Sequence, residues 1–259
     1  MNIQLEVVMQ QAEEAVREAG EAILTSGIHR IRAKAASDFV TDVDMAVQGF
    51  LARRLAAIAP QVQFMGEEQD NSGIDPERPF WILDPVDGTT NLIHGLRHSA
   101  VSLAYAEGGH VRFGIVFDPF KGECYTAAEG RGACLNGELI SVSRVDALSD
   151  SLVATGTVPG FKQLGDVAFR YMRLLYDNCQ DLRRSGCASL DLCHVAAGRL
   201  DAYTEPLLQP WDYAAGAIIV SEAGGLATTM AGEPLPLTHS SAVLATNSRL
   251  HAQLTGLLA

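Results

Sequence analysis

The chain has 259 residues, of which 47% are hydrophobic, so it can bury a substantial core as one large domain or two small ones. Its 31 acidic and 19 basic residues give a net charge of −12, which repels polyanions and argues against nucleic acid as the main partner. No segment approaches the ~18 uncharged apolar residues of a membrane span, and the amino terminus lacks the basic start and apolar centre of a signal peptide, so we expect a cytoplasmic location.

In the first half of the chain, two helical patterns precede a run of strands. Apolar residues recur at helical spacing over 3–24, with Ser26-Gly27 as the predicted end, and a second helix is predicted from Thr41 to Pro60. Strands are predicted at 62–65, 80–83, 99–106, 111–117 and 123–127.

The second half alternates strands with helices. The predicted order is strand 152–155, helix 166–177, strand 181–184, helix 188–197, strand 201–205, helix 212–223, strands near 226 and 242, and a last helix from 248. Mixed sheets layered with helices are the natural packing for this order.

The segment PFWILDPVDGTTN, residues 79–91, joins an apolar strand to two carboxylates, Asp84 and Asp87. Gly88-Thr89-Thr90 then opens a short helix, whose free N–H groups favour an anion such as phosphate. A phosphate beside two carboxylates is repelled unless metal ions lie between them, and such oxygen ligands suit Mg²⁺. The alternative is a simple turn and helix cap, because Asp-Pro-x-Asp-Gly is also good turn chemistry.

Two more acidic sites lie beside apolar elements. Glu67 and Glu68 follow a short apolar strand, and the alternative to a binding site there is a solvated loop. Asp212 follows Pro210-Trp211 at the start of an apolar helix. An acid at the mouth of a buried helix is costly unless it caps the helix or binds a metal ion.

Thr41 and Asp44 have the spacing of a capping box at the start of the second helix. The functional alternative is that Asp44 polarises a hydroxyl group, which in turn orients a water molecule. Thr89 is the candidate for that hydroxyl.

Three separated motifs occur together in this chain: GEE at 66–68, WILDPVDGTTN at 81–91, and WD at 211–212 followed by EAGG at 222–225. In this order they resemble the inositol monophosphatase family over nearly the whole chain. The resemblance implies an α+β fold, a layered α-β-α-β-α sandwich of mixed sheets and helices, in a single domain, 1–259, with closely packed halves of roughly 1–147 and 148–259. It also implies a metal-dependent, lithium-sensitive phosphomonoesterase that forms a homodimer.

The resemblance assigns metal ligands to the acidic motifs. Glu67 and Asp84 are expected to bind one Mg²⁺ together with the backbone carbonyl of Val86. Asp84 is expected to bridge to a second ion, which Asp87 and Asp212 also hold. The resemblance implies two or three Mg²⁺ ions in all, the third being a weaker one near Glu67. Two such ions activate a water molecule and clamp the attacking and leaving oxygens, so no covalent intermediate is needed.

The resemblance also implies how the water and the phosphate are held. Thr89, backed by Asp44, is expected to orient the attacking water, and the amides of Gly88 and Thr89 are expected to hold the phosphate. Asp38 matches another family acid near the metal site.

Substrate choice is expected to depend on the second half of the chain. An acid at the position of Glu205 accepts hydrogen bonds from inositol hydroxyls in the family, which favours a polyol. The implied substrate contacts are Asp87, Gly88, Thr89, Gly186, Cys187, Ala188, Glu205 and Asp212. Many relatives have serine or threonine at the position of Cys187, and the alternative for this residue is a small buried thiol.

The five cysteines are an odd number without a C-x-x-C pair, so we expect reduced thiols, and we expect His194 to be packed rather than catalytic.

The favoured reaction is therefore hydrolysis of inositol-1-phosphate to myo-inositol and phosphate. Histidinol phosphate, fructose-1,6-bisphosphate and adenosine 3′,5′-bisphosphate are alternative substrates on the same fold. Phosphatases that use an aspartyl nucleophile in an Asp-x-Asp-Gly-Thr motif fit less well, because Pro85 stands two residues before Asp87. A metal-binding regulatory protein without turnover is the remaining alternative, and it would need neither Asp44 nor Thr89.

Overall fold

The computed structural model describes residues 3–25, 31–35 and 38–259. The predicted helix end at Ser26-Gly27 lies outside these residues, and so does the side chain of Asp38. The helices of the described part are α1 (Ile3–Thr25), α2 (Asp42–Ile58), α3 (Thr89–Ile93), α4 (Gly165–Asn178), α5 (Ala188–Ala196), α6 (Pro210–Glu222) and α7 (His251–Leu258).

The strands form a hairpin and two sheets. The hairpin is β1 (Ile31–Ala35) and β2 (Asp38–Thr41). The large sheet consists, in spatial order, of β3 (Gln63–Gly66), β4 (Phe80–Asp87), β5 (Ala100–Glu107), β6 (His110–Asp118), β7 (Glu123–Ala128), β8 (Ala133–Leu135) and β9 (Glu138–Ile140). The small sheet consists of β10 (Leu152–Thr155), β11 (Asp181–Arg183), β12 (Ala202–Leu208), β13 (Leu226–Thr228) and β14 (Ser241–Thr246), in the spatial order β11-β10-β12-β14-β13.

Both sheets are mixed. In the large sheet β3 runs parallel to β4, and the later neighbours are antiparallel. In the small sheet β10 runs parallel to β11 and β12, whereas β14 is antiparallel to β12 and β13.

Three apolar clusters define the order of the layers. The helices α1 and α2 pack on one face of the large sheet. The helices α5 and α6 fill the space between the two sheets, and α4 and α7 cover the outer face of the small sheet. This is the α-β-α-β-α arrangement that the resemblance implies, so the predicted fold class is confirmed.

Strand β4 is buried along its whole length because helices cover both faces of the large sheet. Ile82 packs toward α5 and α6, and Trp81 packs toward α1 and α2. The prediction that Asp84 and Asp87 follow the strand is wrong, because β4 continues through both residues while it pairs with β5.

Several other boundaries differ from the sequence prediction. Helix α6 begins at Pro210 rather than 212, and α7 begins at His251 rather than 248. The sequence prediction does not include β1, β2, β8 and β9. The turn between β8 and β9 does carry a hairpin signal: Asn136 and Gly137 both have positive φ angles, 51° and 86°.

No helix of the described residues combines the length and the apolar character that a membrane crossing requires. All five cysteines are free thiols.

Candidate active site

A cleft of about 580 Å³ opens where the ends of β3, β4, β10 and β12 meet the first turns of α5 and α6. Its volume is typical of a small-molecule site. The acidic residues that line it are Glu67, Asp84, Asp87, Asp191, Glu205 and Asp212. Arg184 is the single cationic side chain among the described residues that line it. An anionic substrate therefore requires further positive charge in this cleft.

A β-bulge brings Asp84 and Asp87 to the same cleft. Side chains three positions apart on a regular strand point to opposite faces of the sheet. Here Asp84 pairs with Ser102 and Asp87 pairs with Ala100, so β4 has one more residue than β5 in this interval. Pro85 lies within the bulge, where the missing N–H removes no regular ladder bond. The extra residue restores the parity, and both acids line the cleft.

The carboxylates of the cleft repel one another. Burial raises the pKa of Asp84 well above its ordinary value, and the charges of Glu67, Asp87 and Asp212 raise it further. Burial also raises the pKa of Asp212, followed by the charges of Asp87 and Glu67.

This donor set fits divalent cations of the Mg²⁺ type. The carboxylates supply only oxygen atoms, and a cation bound among them would relieve the repulsion that raises the pKa of Asp84 and Asp212. In their present positions, no three His, Cys, Asp or Glu side chains of the described chain are arranged to hold a metal ion. Metal binding therefore requires carboxylates to adjust, and the assignment of Glu67, Asp84, Val86, Asp87 and Asp212 as ligands stays a prediction.

Asp44 combines both of the roles considered from the sequence. Its Oδ2 accepts hydrogen bonds from the backbone N–H of Thr41, at 3.0 Å, and from the Thr41 hydroxyl, which completes a capping box at the start of α2. Its Oδ1 accepts a hydrogen bond of 2.9 Å from Thr89 Oγ1. Burial raises the pKa of Asp44. One carboxylate therefore caps a helix and contacts a hydroxyl that lines the cleft.

The turn before α3 is built around Gly88. Its φ angle of 88° is in the left-handed region, and a Cβ there would lie 3.0 Å from the carbonyl oxygen of His98. Ser99 Oγ donates to the Gly88 carbonyl at 2.9 Å. Gly88 and Thr89 both line the cleft, and phosphate binding by their amides stays a prediction.

Asp212 also has a capping role, at the third position of α6. Its Oδ2 accepts a hydrogen bond of 2.6 Å from the backbone N–H of Gln209. The cap therefore compensates part of the cost of burying this acid at the mouth of an apolar helix.

At the start of α5, Gly186, Cys187 and Ala188 line the cleft as the resemblance implies. The Cys187 thiol is 1% exposed and donates to Asp87 Oδ2 at 3.2 Å. Burial raises the pKa of Cys187 well above its ordinary value, and the charge of Asp87 raises it further, so the thiol stays protonated. His194, farther along α5, has its pKa lowered to about 4 by burial, which suits a packed neutral ring.

Glu205 is fixed in the wall of the cleft by two donors. Tyr203 Oη donates to Oε2 at 2.6 Å, and the backbone N–H of Val158 donates to Oε1 at 2.9 Å. Burial raises the pKa of Glu205. The sequence reasoning missed both donors. The contact with Tyr203 could have been predicted, because Tyr203 lies two positions before Glu205 and therefore on the same face of β12. The contact with Val158 could not, because Val158 lies in a loop, with a positive φ angle of 45°, that no motif indicates.

The model of the inositol monophosphatase family matches residues 4–259. The chain belongs to the inositol monophosphatase family. It is therefore a phosphoric monoester hydrolase, as the sequence predicts, in a family that is generally metal-dependent.

Relatives support this assignment over the length of the chain. The chain is 36% identical to the inositol monophosphatase of Dictyostelium discoideum, over 99% of this chain and 97% of the relative. It is 41% identical to the Nus factor SuhB of Pseudomonas aeruginosa, over 84% of this chain and 83% of the relative. Among solved structures, the inositol monophosphatase from Anabaena superposes with a TM-score of 0.89 at 33% identity, over 98% of this chain and 96% of the other.

Proposed function

We propose that this family member hydrolyses inositol-1-phosphate to myo-inositol and phosphate with bound Mg²⁺. The observation that carries the proposal is the hydrogen bond of 2.9 Å between Thr89 Oγ1 and Asp44 Oδ1, at the edge of a cleft lined by the four carboxylates that are predicted to bind metal. Binding of a metal ion alone would not require this hydroxyl–carboxylate pair.

The carboxylates of Glu67, Asp84, Asp87 and Asp212, with the Val86 carbonyl, would hold two or three Mg²⁺ ions. When bound, these ions would lower the pKa of the attacking water molecule and stabilise the negative charge that develops during an in-line displacement at phosphorus. The carboxylates offset much of the cation charge, which limits how tightly product phosphate binds.

Thr89 and Asp44 orient the attacking water. The Thr89 hydroxyl has one proton, which it directs to Asp44 Oδ1 and to the Val86 carbonyl, at 2.9 and 3.0 Å. The lone pairs of the Thr89 oxygen therefore remain free to accept a hydrogen bond from a water molecule in the cleft. The pKa of Asp44 is raised by burial, which favours a proton moving toward this carboxylate during the reaction.

Glu205 selects the alcohol part of the ester. Its two carboxylate oxygens each have one protein donor, so further lone pairs remain for hydroxyl groups of the substrate. A polyol such as inositol supplies several such hydroxyls. Histidinol phosphate, fructose-1,6-bisphosphate and adenosine 3′,5′-bisphosphate are the alternative substrates.

A phosphate-release screen tests the reaction. We expect inositol-1-phosphate to have the highest kcat/KM of these four esters with Mg²⁺, and Li⁺ to inhibit. Excess chelator should abolish release, and full activity in chelator would contradict the metal-dependent mechanism. A higher kcat/KM for one of the other three esters would replace the proposed substrate and keep the proposed chemistry.

Glu205→Gln tests the role of this acid in substrate choice. We expect KM for inositol-1-phosphate to rise about tenfold, because hydrogen bonds to a charged acceptor are stronger than those to an amide. KM for p-nitrophenyl phosphate, whose alcohol has no further hydroxyl, should change less than about twofold. An equal change for both substrates would show that Glu205 acts on the cleft as a whole and does not contact the alcohol.

Gly156→Ala tests how closely the backbone of the cleft approaches Glu205. A Cβ at this position would lie 1.9 Å from the Glu205 carboxyl carbon, so the carboxylate must move. We expect a loss of about 2 kcal/mol in the free energy of unfolding and the same selective rise in KM for inositol-1-phosphate. Gly73→Ala is the matched control, because its added Cβ meets no atom within 4 Å. Wild-type stability of Gly156→Ala would contradict the close contact.

We also propose that the chain forms a homodimer, that it is located in the cytoplasm and that it has no nucleic-acid partner. Light scattering on the purified chain measures the oligomeric state directly.

A further inference from the structure

The first turn of α5 contacts Asp87 through a residue that the motifs do not include. Ser189 donates to Asp87 Oδ2 twice, from its backbone N–H and from its hydroxyl, each at 2.6 Å. Its side chain is completely buried, and Asp87 is 9% exposed. The two residues are 102 positions apart, so this contact joins the end of β4 to the helix layer between the sheets.

The donors at the start of α5 all contact the same oxygen of Asp87, Oδ2. The Cys187 thiol adds a third donor to Oδ2, at 3.2 Å. In the described residues, the hydrogen bonds to the Asp87 side chain end on Oδ2. A carboxylate oxygen with three donors has no lone pair left for a cation. Oδ1 is therefore the oxygen with which Asp87 can bind a metal ion.

We propose that Ser189 is a positioning residue that holds Asp87 Oδ2 against the first turn of α5, so that Asp87 binds metal through Oδ1 alone. This role rests on the proposed function of Asp87 as a metal ligand. The N–H of Ser189 belongs to the free amino-terminal end of α5, where a carboxylate is favourable. The Ser189 hydroxyl restricts rotation of the Asp87 carboxylate about its Cβ–Cγ bond. Unlike the backbone N–H, this hydroxyl can be removed by a side-chain substitution.

The contact between Ser189 and Asp87 also connects the part of the cleft that is expected to bind the alcohol with the part that is expected to bind the cations. Ser189 follows directly on Gly186-Cys187-Ala188, which line the cleft and are the predicted substrate contacts. A shift of this turn would rotate the Asp87 carboxylate, and a change in the metal ligands would move the turn. Ser189 thus connects the wall that is expected to bind the alcohol to the acids that are expected to bind the cations.

Ser189→Ala tests the role of the hydroxyl. We expect the affinity for Mg²⁺, measured by calorimetry on metal-free protein without substrate, to fall about tenfold, as is typical when a partner of a metal ligand is removed. The rise in Tm that Mg²⁺ produces at fixed concentration should shrink accordingly. Ser189→Thr keeps the hydroxyl and should retain most of the Mg²⁺ affinity.

Ser151→Ala is the matched control. Ser151 is also completely buried, and its hydroxyl donates at 2.6 Å, but to the Leu148 carbonyl and away from the cleft. It should lower Tm without changing Mg²⁺ affinity. If Ser189→Ala behaves in the same way while the wild type binds Mg²⁺, the positioning role is overturned and the proposed function stands. If the wild type binds no Mg²⁺, the metal-dependent function and the positioning role are both overturned.

Discussion

Asp84→Asn is expected to remove Mg²⁺ binding and phosphatase activity together, with kcat/KM reduced about a thousandfold or more. Asp84 is proposed to bridge two ions, and loss of its charge removes several kcal/mol of transition-state stabilisation. In excess chelator the variant should be more stable than the wild type. Burial and the charges of Glu67, Asp87 and Asp212 all raise the pKa of Asp84, so a neutral side chain relieves a repulsion that the metal-free cleft contains.

Thermal unfolding with and without Mg²⁺ separates these effects. Mg²⁺ should raise Tm of the wild type and leave that of Asp84→Asn unchanged. The matched control is Asp118→Asn, since Asp118 is a fully buried acid outside the cleft whose Oδ2 faces Lys121 Nζ at 3.3 Å. This control should lose stability and keep its response to Mg²⁺. A lower Tm of Asp84→Asn in chelator would refute the repulsion argument.

Thr89→Ala is expected to lower kcat by a factor of about 100 or more while Mg²⁺ affinity stays within about threefold of the wild type. The hydroxyl contacts Asp44 and the Val86 carbonyl, and its removal takes away an orienting group that acts mainly in the transition state. Turnover against substrate concentration, with calorimetric titration of Mg²⁺, measures both quantities.

Asp44→Asn should lower turnover and stability together. The amide keeps one acceptor oxygen but has no second one for the N–H and hydroxyl of Thr41, so we expect a loss of about 1 kcal/mol in the free energy of unfolding. Thr41→Ala, which removes the cap but keeps the Thr89–Asp44 hydrogen bond, should lose similar stability and retain most of its turnover. Wild-type turnover in both Thr89→Ala and Asp44→Asn would mean that Asp44 is only a helix cap.

The sequence by itself determined the features that depend on local chemistry. The helix start after Gly88 and the apolar helix that follows Gln209 were predictable, because glycine, proline and capping side chains act within a few residues of their own positions. The order of acidic motifs also sufficed to indicate the family and hence the fold. Even a missed element, the hairpin at Asn136-Gly137, had its signal in the local sequence.

Only the tertiary structure decided how these residues meet. Asp84 and Asp87 share a cleft because pairing with β5 introduces a bulge, which no pattern along β4 alone reveals. The donors to Glu205 and Asp87 include Val158 and Ser189, which lie 47 and 102 positions away in the chain. Such contacts arise when two sheets pack on a shared helix layer. Local propensity carries no information about that packing, so the sequence indicates which acids form the site but not which oxygen atoms remain for the ligand.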